Sequence, residues 1–212
     1  ETCPPVDSLQ LLLAHEMAHN WPGLEDGEGE LAWYGEGTAE FYSLTLSYRA
    51  GLLSREKFLA EINRRASAYY TNPLRPLPLG EAARIYWINT LAQHLPYERG
   101  FMYLVQVDAQ IREKSGGERN LDNLVLEMLA RKKRGEGYGI SDWLRLVTRE
   151  LGPCGERDYQ RMISGELLVP PGNSFGLGLQ PEKILERRLE MGFDIASLQG
   201  EKKVIKGVLA DT

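Results

Sequence analysis

The tightest constraint on this chain is DSLQLLLAHEMAHN (7–20), a stretch with apolar residues on almost every side of a helix, interrupted by two histidines and a glutamate. A helix that is apolar all round is ordinarily buried. Imidazoles and a carboxylate can be buried with it only if they have partners, because an unpaired polar group is costly in an apolar setting. Asp7 or Ser8, following Pro4 and Pro5, is expected to cap the N-terminus. In H-E-M-A-H, His15 and His19 stand four residues apart and so project from one helix face, close enough for both imidazoles to bind one ion. Glu16 lies about 100° around the helix, beside such an ion rather than on it, where a carboxylate can act as a base toward water. Two of the chain's three histidines fall here, which argues against a chance match.

A third protein ligand is needed. Glu25, Asp26, Glu28 and Glu30 lie in the glycine-rich loop that follows, and Glu36 and Glu40 in the next helix, which is expected to begin near Glu36 and to stop at Gly51. A helix packed against the first one holds a ligand more rigidly than a mobile loop does, which favours Glu36 or Glu40. The two are one turn apart, so one can bind the ion while the other accepts the free N–H of a ligating histidine. Two neutral imidazoles and a carboxylate leave a fourth position open, the donor set of a catalytic zinc site, so Zn²⁺ is the expected cofactor.

The rest of the chain is expected to be mainly α. Ser54 should cap a helix running through REKFLAEINRRASAYY, NPLRPLPLG (72–80) reads as an irregular loop with three prolines, and a long helix runs from about Glu98 to Ser115-Gly116-Gly117. LDNLVLEMLARKKR and SDWLRLVTREL follow, the latter with Ser141 as N-cap and Gly152 as C-cap, and a short helix forms around Tyr159. After Gly165 the chain becomes rich in Pro and Gly and then β-leaning. The 25 basic and 30 acidic residues leave a net charge of -5, which provides no basic field for nucleic acid or anionic lipid and makes a peptide-like ligand the expected partner. No apolar run has the length of a membrane span, and ETCPPVDS lacks the features of a signal peptide, so no membrane partner is expected and the compartment stays open. Cys3 and Cys154 fit a lone disulfide or two thiols equally well.

HEMAHNW followed by WYGEGTAEFY resembles the gluzincin pattern, HExxH then Asn or Gln-Trp, with a downstream Glu-Gly opening the next helix. By that resemblance Glu36 is the third ligand and Glu40 its neighbour against a histidine. Sixteen residues separate His19 from Glu36, slightly fewer than is usual in the aminopeptidase N family, and the difference falls in a loop. PYERGFMYLVQVDAQIREKSGGERNLDNLVLEML is more similar to the glycyl aminopeptidase family, and ERRLEMGFDIASLQGEKKVIKGVLADT resembles the start of the PDZ-like domain that follows the peptidase in that family.

The resemblance implies the helical, C-terminal part of a thermolysin-like gluzincin catalytic domain over 1–165, a linker over 166–182 and the start of an incomplete PDZ-like domain over 183–212. It implies a zinc-dependent aminopeptidase in which Glu16 is the general base and Tyr97 gives its hydroxyl to the developing oxyanion; a phenol, with a pKa near 10, is still a neutral donor at neutral pH. Arg99 and His94 are weaker candidates, Arg99 as a helix-capping or solvated side chain and His94 as a structural one. An aminopeptidase N-like or other gluzincin amide or ester hydrolase is the alternative within enzymes, and a zinc-stapled binding or chaperone-like module the alternative outside them. The upstream sheet that grips a substrate's N-terminus in such enzymes is not expected in this stretch, and the C-terminal strands are expected to self-associate if left unpaired.

Overall fold

The computed structural model describes residues 6–21, 23–26, 29–176, 178–185 and 193. Among them the secondary structure is helical, with no strand, in agreement with the mainly α expectation. The order is α1 (Val6–Ala18), a 3₁₀ turn (Gly29–Leu31), α2 (Ala32–Arg49), α3 (Arg55–Thr71), α4 (Leu79–Ile85), α5 (Thr90–Lys114), α6 (Leu121–Arg134), α7 (Ile140–Leu151) and α8 (Pro153–Ser164).

Local sequence accounts for most boundaries. Ser54 caps α3 by accepting from the backbone N–H of Lys57. Asn120 caps α6 while the Asn123 side chain accepts from the N–H of Asn120, and the helix ends at Gly135, whose φ of 68° suits glycine. Pro153 occupies the first position of α8, where its missing N–H costs nothing.

Four boundaries differ from expectation. α1 begins at Val6, so Asp7 and Ser8 lie inside it rather than at its cap. α2 begins at Ala32, because the 3₁₀ turn leads straight into the helix; Glu36 therefore sits in the second turn and not at the start. α7 begins at Ile140 rather than after Ser141, since Asp142 accepts from the N–H of Gly139 and Asp26 from that of Ile140, satisfying the first donors from two directions. α5 starts at Thr90, two turns before Glu98. Asn89 caps it by accepting from the N–H groups of Leu91 and Ala92, and the helix runs through Pro96, which is buried. An interior proline costs a helix about 3 kcal/mol, and here the tertiary packing of α5 overrides it. α4, directly after the proline-rich loop, was not expected.

α5 is the central helix and makes its most extensive contact with α2. The crossing is glycine on glycine: a Cβ on Gly37 would lie 2.6 Å from the carbonyl carbon of Gly100, and a Cβ on Gly100 would run into the Trp33 carbonyl oxygen. Behind it lies an aromatic core of fully buried Trp33, Tyr103 and Trp143, with Tyr34 and Tyr159 against them. The Trp143 indole N–H donates to the Tyr103 hydroxyl at 3.3 Å.

α1 packs chiefly against α2. It is not the wholly buried helix that its composition predicts, for Leu12, Leu13 and Met17 are 53 %, 60 % and 69 % exposed. The segment after α8 docks on the bundle: the Leu168 N–H donates to Tyr69, Arg112 donates to the Ser174 carbonyl at 2.6 Å, and Phe175 meets Phe58 and Phe101. The expected PDZ-like strands fall almost wholly outside the described residues.

Candidate metal centre

The site forms where the end of α1 meets the second turn of α2. α1 closes tightly, the N–H groups of Asn20 and Trp21 donating to the carbonyls of Met17 and Ala18 at 3.1 and 2.9 Å. The Trp21 ring then stands edge-on against Tyr42 of α2 at 4.9 Å. That anchor holds His15, in the last turn, and His19, on the closing turn, over Glu36.

The two histidines present the same atom to a common point. Their Nε2 atoms are 3.1 Å apart, and each lies 3.3 Å from Oε2 of Glu36. Bond lengths of about 2.0–2.1 Å to a tetrahedral zinc imply ligand atoms about 3.3 Å apart, so the triangle has the size of one face of such a coordination sphere. Glu36 Oε2 is buried without an aligned hydrogen-bond donor. An orphaned carboxylate oxygen converged on by two imidazole nitrogens fits a divalent cation, and among the described residues His15, His19 and Glu36 form the one cluster able to hold it.

Glu40, one turn along α2, brings Oε1 to 3.1 Å from Nδ1 of His15, a hydrogen-bond length although off the ideal line. Its other oxygen accepts from Nε of Arg65 at 2.6 Å. Burial alone would raise the Glu40 carboxyl, but His15 and Arg65 outweigh it and hold the group below its usual range. Tyr97, one turn before Gly100 on α5, stacks on His15 with rings 5.8 Å apart and 12° from parallel. Burial, and next the Glu36 carboxylate and the Tyr86 hydroxyl, push the Tyr97 phenol above its ordinary range and keep it a neutral donor. Glu16 is exposed on the open side of α1.

The other candidates lie elsewhere. Glu25 accepts from the N–H of Tyr138 and Asp26 from that of Ile140, so these loop acids serve the start of α7. Glu30 lies against Gly80, and Glu28 falls outside the described residues. Arg99 does not meet solvent. It is fully buried and donates to the carbonyls of Arg75, Leu77 and Met162, tying the proline-rich loop and the end of α8 to α5. His94 is exposed and lines a cavity of about 420 Å³ with Tyr86, Tyr97, Glu40 and Arg65. Sequence reasoning missed Arg65, which looks like any solvated cation of a polar helix, and Tyr86, which carries no local signal.

The carboxylates fix the pH behaviour of the metal-free site. Glu36 first and Glu40 second raise the His15 imidazolium from the ordinary 6.5 to about 9, against the opposing effect of burial. A raised folded-state pKa stabilises the fold fully below about pH 6.5 and progressively less up to about pH 9. A bound metal replaces that proton. Metal-free protein is therefore expected to melt at lower temperature as pH rises through this interval, and zinc-loaded protein is not. Thermal melts with and without chelator measure this; a metal-free melting temperature unaffected by pH would rule out the coupling.

Residues 25–97 match the family model of the M61 glycyl aminopeptidases. No curated protein matches the chain. The matched stretch contains Glu36 and Glu40 and ends at Tyr97, whereas His15, Glu16 and His19 precede it; the two histidines rest on their spacing and convergence and Glu16 on its spacing alone. Over that stretch the chain is similar to glycyl aminopeptidases, and the likeness supports a peptidase function. Among the described residues, no helix is long and apolar enough to cross a membrane.

Proposed function

From the likeness to the M61 glycyl aminopeptidases we propose that the chain carries the zinc-dependent catalytic centre of a peptide hydrolase of aminopeptidase type. The observation that carries this reading is the convergence of His15 Nε2, His19 Nε2 and Glu36 Oε2, with the Tyr97 ring stacked on one ligand.

His15, His19 and Glu36 would hold the ion, and Glu40 would accept from the outer nitrogen of His15, fixing which nitrogen faces the metal. Zinc, when bound, supplies Lewis acidity toward a carbonyl oxygen and a water molecule. Glu16, next to His15 and open to solvent, takes a proton from the attacking water and later passes it to the departing amine. Tyr97 donates its hydroxyl to the oxygen on which negative charge develops, a task its raised pKa suits because the group stays protonated. A purely structural zinc normally completes its coordination with a fourth protein ligand and has no use for an exposed acid beside it, which is why the reading favours a hydrolase over a zinc-stapled module.

Hydrolysis of an aminoacyl amide by the full-length protein, abolished by a chelator and restored by stoichiometric zinc, is the expected result. Tight zinc binding with no hydrolysis across a panel of aminoacyl amides and peptides would leave the centre a staple.

A further inference from the structure

Arg65 reaches the surroundings of the candidate ligands from a third helix. It is 6 % exposed. Its Nε donates to Glu40 Oε2 at 2.6 Å and its Nη1 to Glu61 Oε2 at 2.6 Å, with the guanidinium 5.6 Å from the centre of the Phe101 ring. Glu40 in turn places Oε1 3.1 Å from His15 Nδ1. The chain of contacts runs from α1 through α2 to α3, and each group occupies a different atom of the next.

A carboxylate with only one fixed partner can rotate about its terminal bond. Glu40 has a partner at each oxygen, Arg65 bonded to Oε2 and His15 Nδ1 3.1 Å from Oε1, and its orientation is set by the bonded, more rigid partner. The guanidinium is planar and its nitrogens form a fork. With Nη1 fixed by Glu61 and the side chain buried beside the Phe101 ring, Nε has little freedom, and the oxygen it binds fixes where the other oxygen points. We infer that Arg65 is a positioning residue for the metal centre, which aims Glu40 at His15 and thereby aims His15 Nε2 at the point shared with His19 and Glu36. Arg65 is not itself one of the three converging ligands.

This inference rests on the metal reading of the site, and zinc titration separates the two. Unmodified protein that binds no zinc at one equivalent would defeat the metal reading itself. Given that binding, Arg65→Met is expected to weaken zinc about 10- to 100-fold, the usual effect of losing a residue behind a metal ligand. Arg65→Lys, which keeps the charge but cannot align with both carboxylates, should lose less. A merely structural Arg65 predicts something else: a lower melting temperature in the metal-free variant, with unchanged zinc affinity per folded molecule. In the zinc-loaded parent the His15 Nδ1 proton should be resolved by NMR and slow to exchange, and faster exchange is expected in both variants. Zinc affinity and proton exchange equal to the parent in folded Arg65→Met would overturn the inference. If that variant does not fold, the same two parental values in Arg65→Lys would overturn it.

Discussion

Glu16→Gln is expected to bind zinc as the parent does and to turn over peptide amides about 10²- to 10⁴-fold more slowly, the usual contribution of a positioned acid-base group. The separation of effects follows from where the residue sits. Glu16 is exposed and is not among the three converging ligands, so the amide neither removes a ligand nor leaves a buried charge uncompensated. Glutamine matches glutamate in shape and can still orient water, but it cannot take the proton. Zinc content by elemental analysis and steady-state rates on one aminoacyl amide suffice to measure it. A rate within a few fold of the parent would remove Glu16 from the chemistry.

The second large effect is expected at Gly100, which is not itself one of the converging ligands. In a helix interior, alanine is ordinarily more favourable than glycine by about 1 kcal/mol. At this crossing the added Cβ meets backbone, the Trp33 carbonyl oxygen on one side and Gly37 Cα at 2.9 Å on another. Backbone cannot swing away as a side chain can, so the helices must part. Overpacking of this kind costs about 1–3 kcal/mol, occasionally more, and wins over the gain in propensity. Backbone on both sides places this crossing at the upper end of that range, so after the gain in propensity a net loss of about 2 kcal/mol should lower the melting temperature of Gly100→Ala by roughly 4–8 °C at this chain length. The separation also moves Tyr97, one turn away on α5, relative to Glu36 on α2. Displacement by about 1 Å can cost about 10²-fold in rate, so activity should fall even where the variant stays folded. An unchanged melting temperature would show that the crossing has slack.

These two residues mark what can and cannot be read from the chain alone. The spacing of His15 and His19 is itself the helical period, so their shared face follows from counting. Glu36 follows less directly, since six acids lie within reach, a packed helix narrows them to Glu36 and Glu40, and only the resemblance to the gluzincin pattern chooses between those two. The loop acids Glu25 and Asp26 were drawn to α7, a helix more than a hundred residues further on in sequence. Gly100 gives no sign of its role, because a close crossing is a property of two segments and each sees only its own residues. Pro96 hid the first turns of α5 because proline locally disfavours a helix interior and only tertiary packing reverses that. Arg65 and Arg99 were unreadable for a related reason: arginine is ordinarily solvated, and the carboxylates and carbonyls that bury these two come from other elements. Leu12, Leu13 and Met17 failed in the opposite direction, an apolar composition promising a burial that the described residues do not provide.

The one-sided seat of α1 has a consequence for how the molecule opens. A helix secured along a single face detaches at a lower free energy than the bundle unfolds, and so forms the first separable unit in native-state exchange. His15 and His19 belong to that unit and Glu36 to the body it leaves. Any ion shared among the three must be surrendered when α1 lifts, and it opposes that excursion by about 2.7 kcal/mol at a free concentration a hundred times its dissociation constant. The backbone amides of α1 thus become a gauge of occupancy, exchanging quickly with an empty centre and slowly with a filled one, while those of α5 report the bundle regardless.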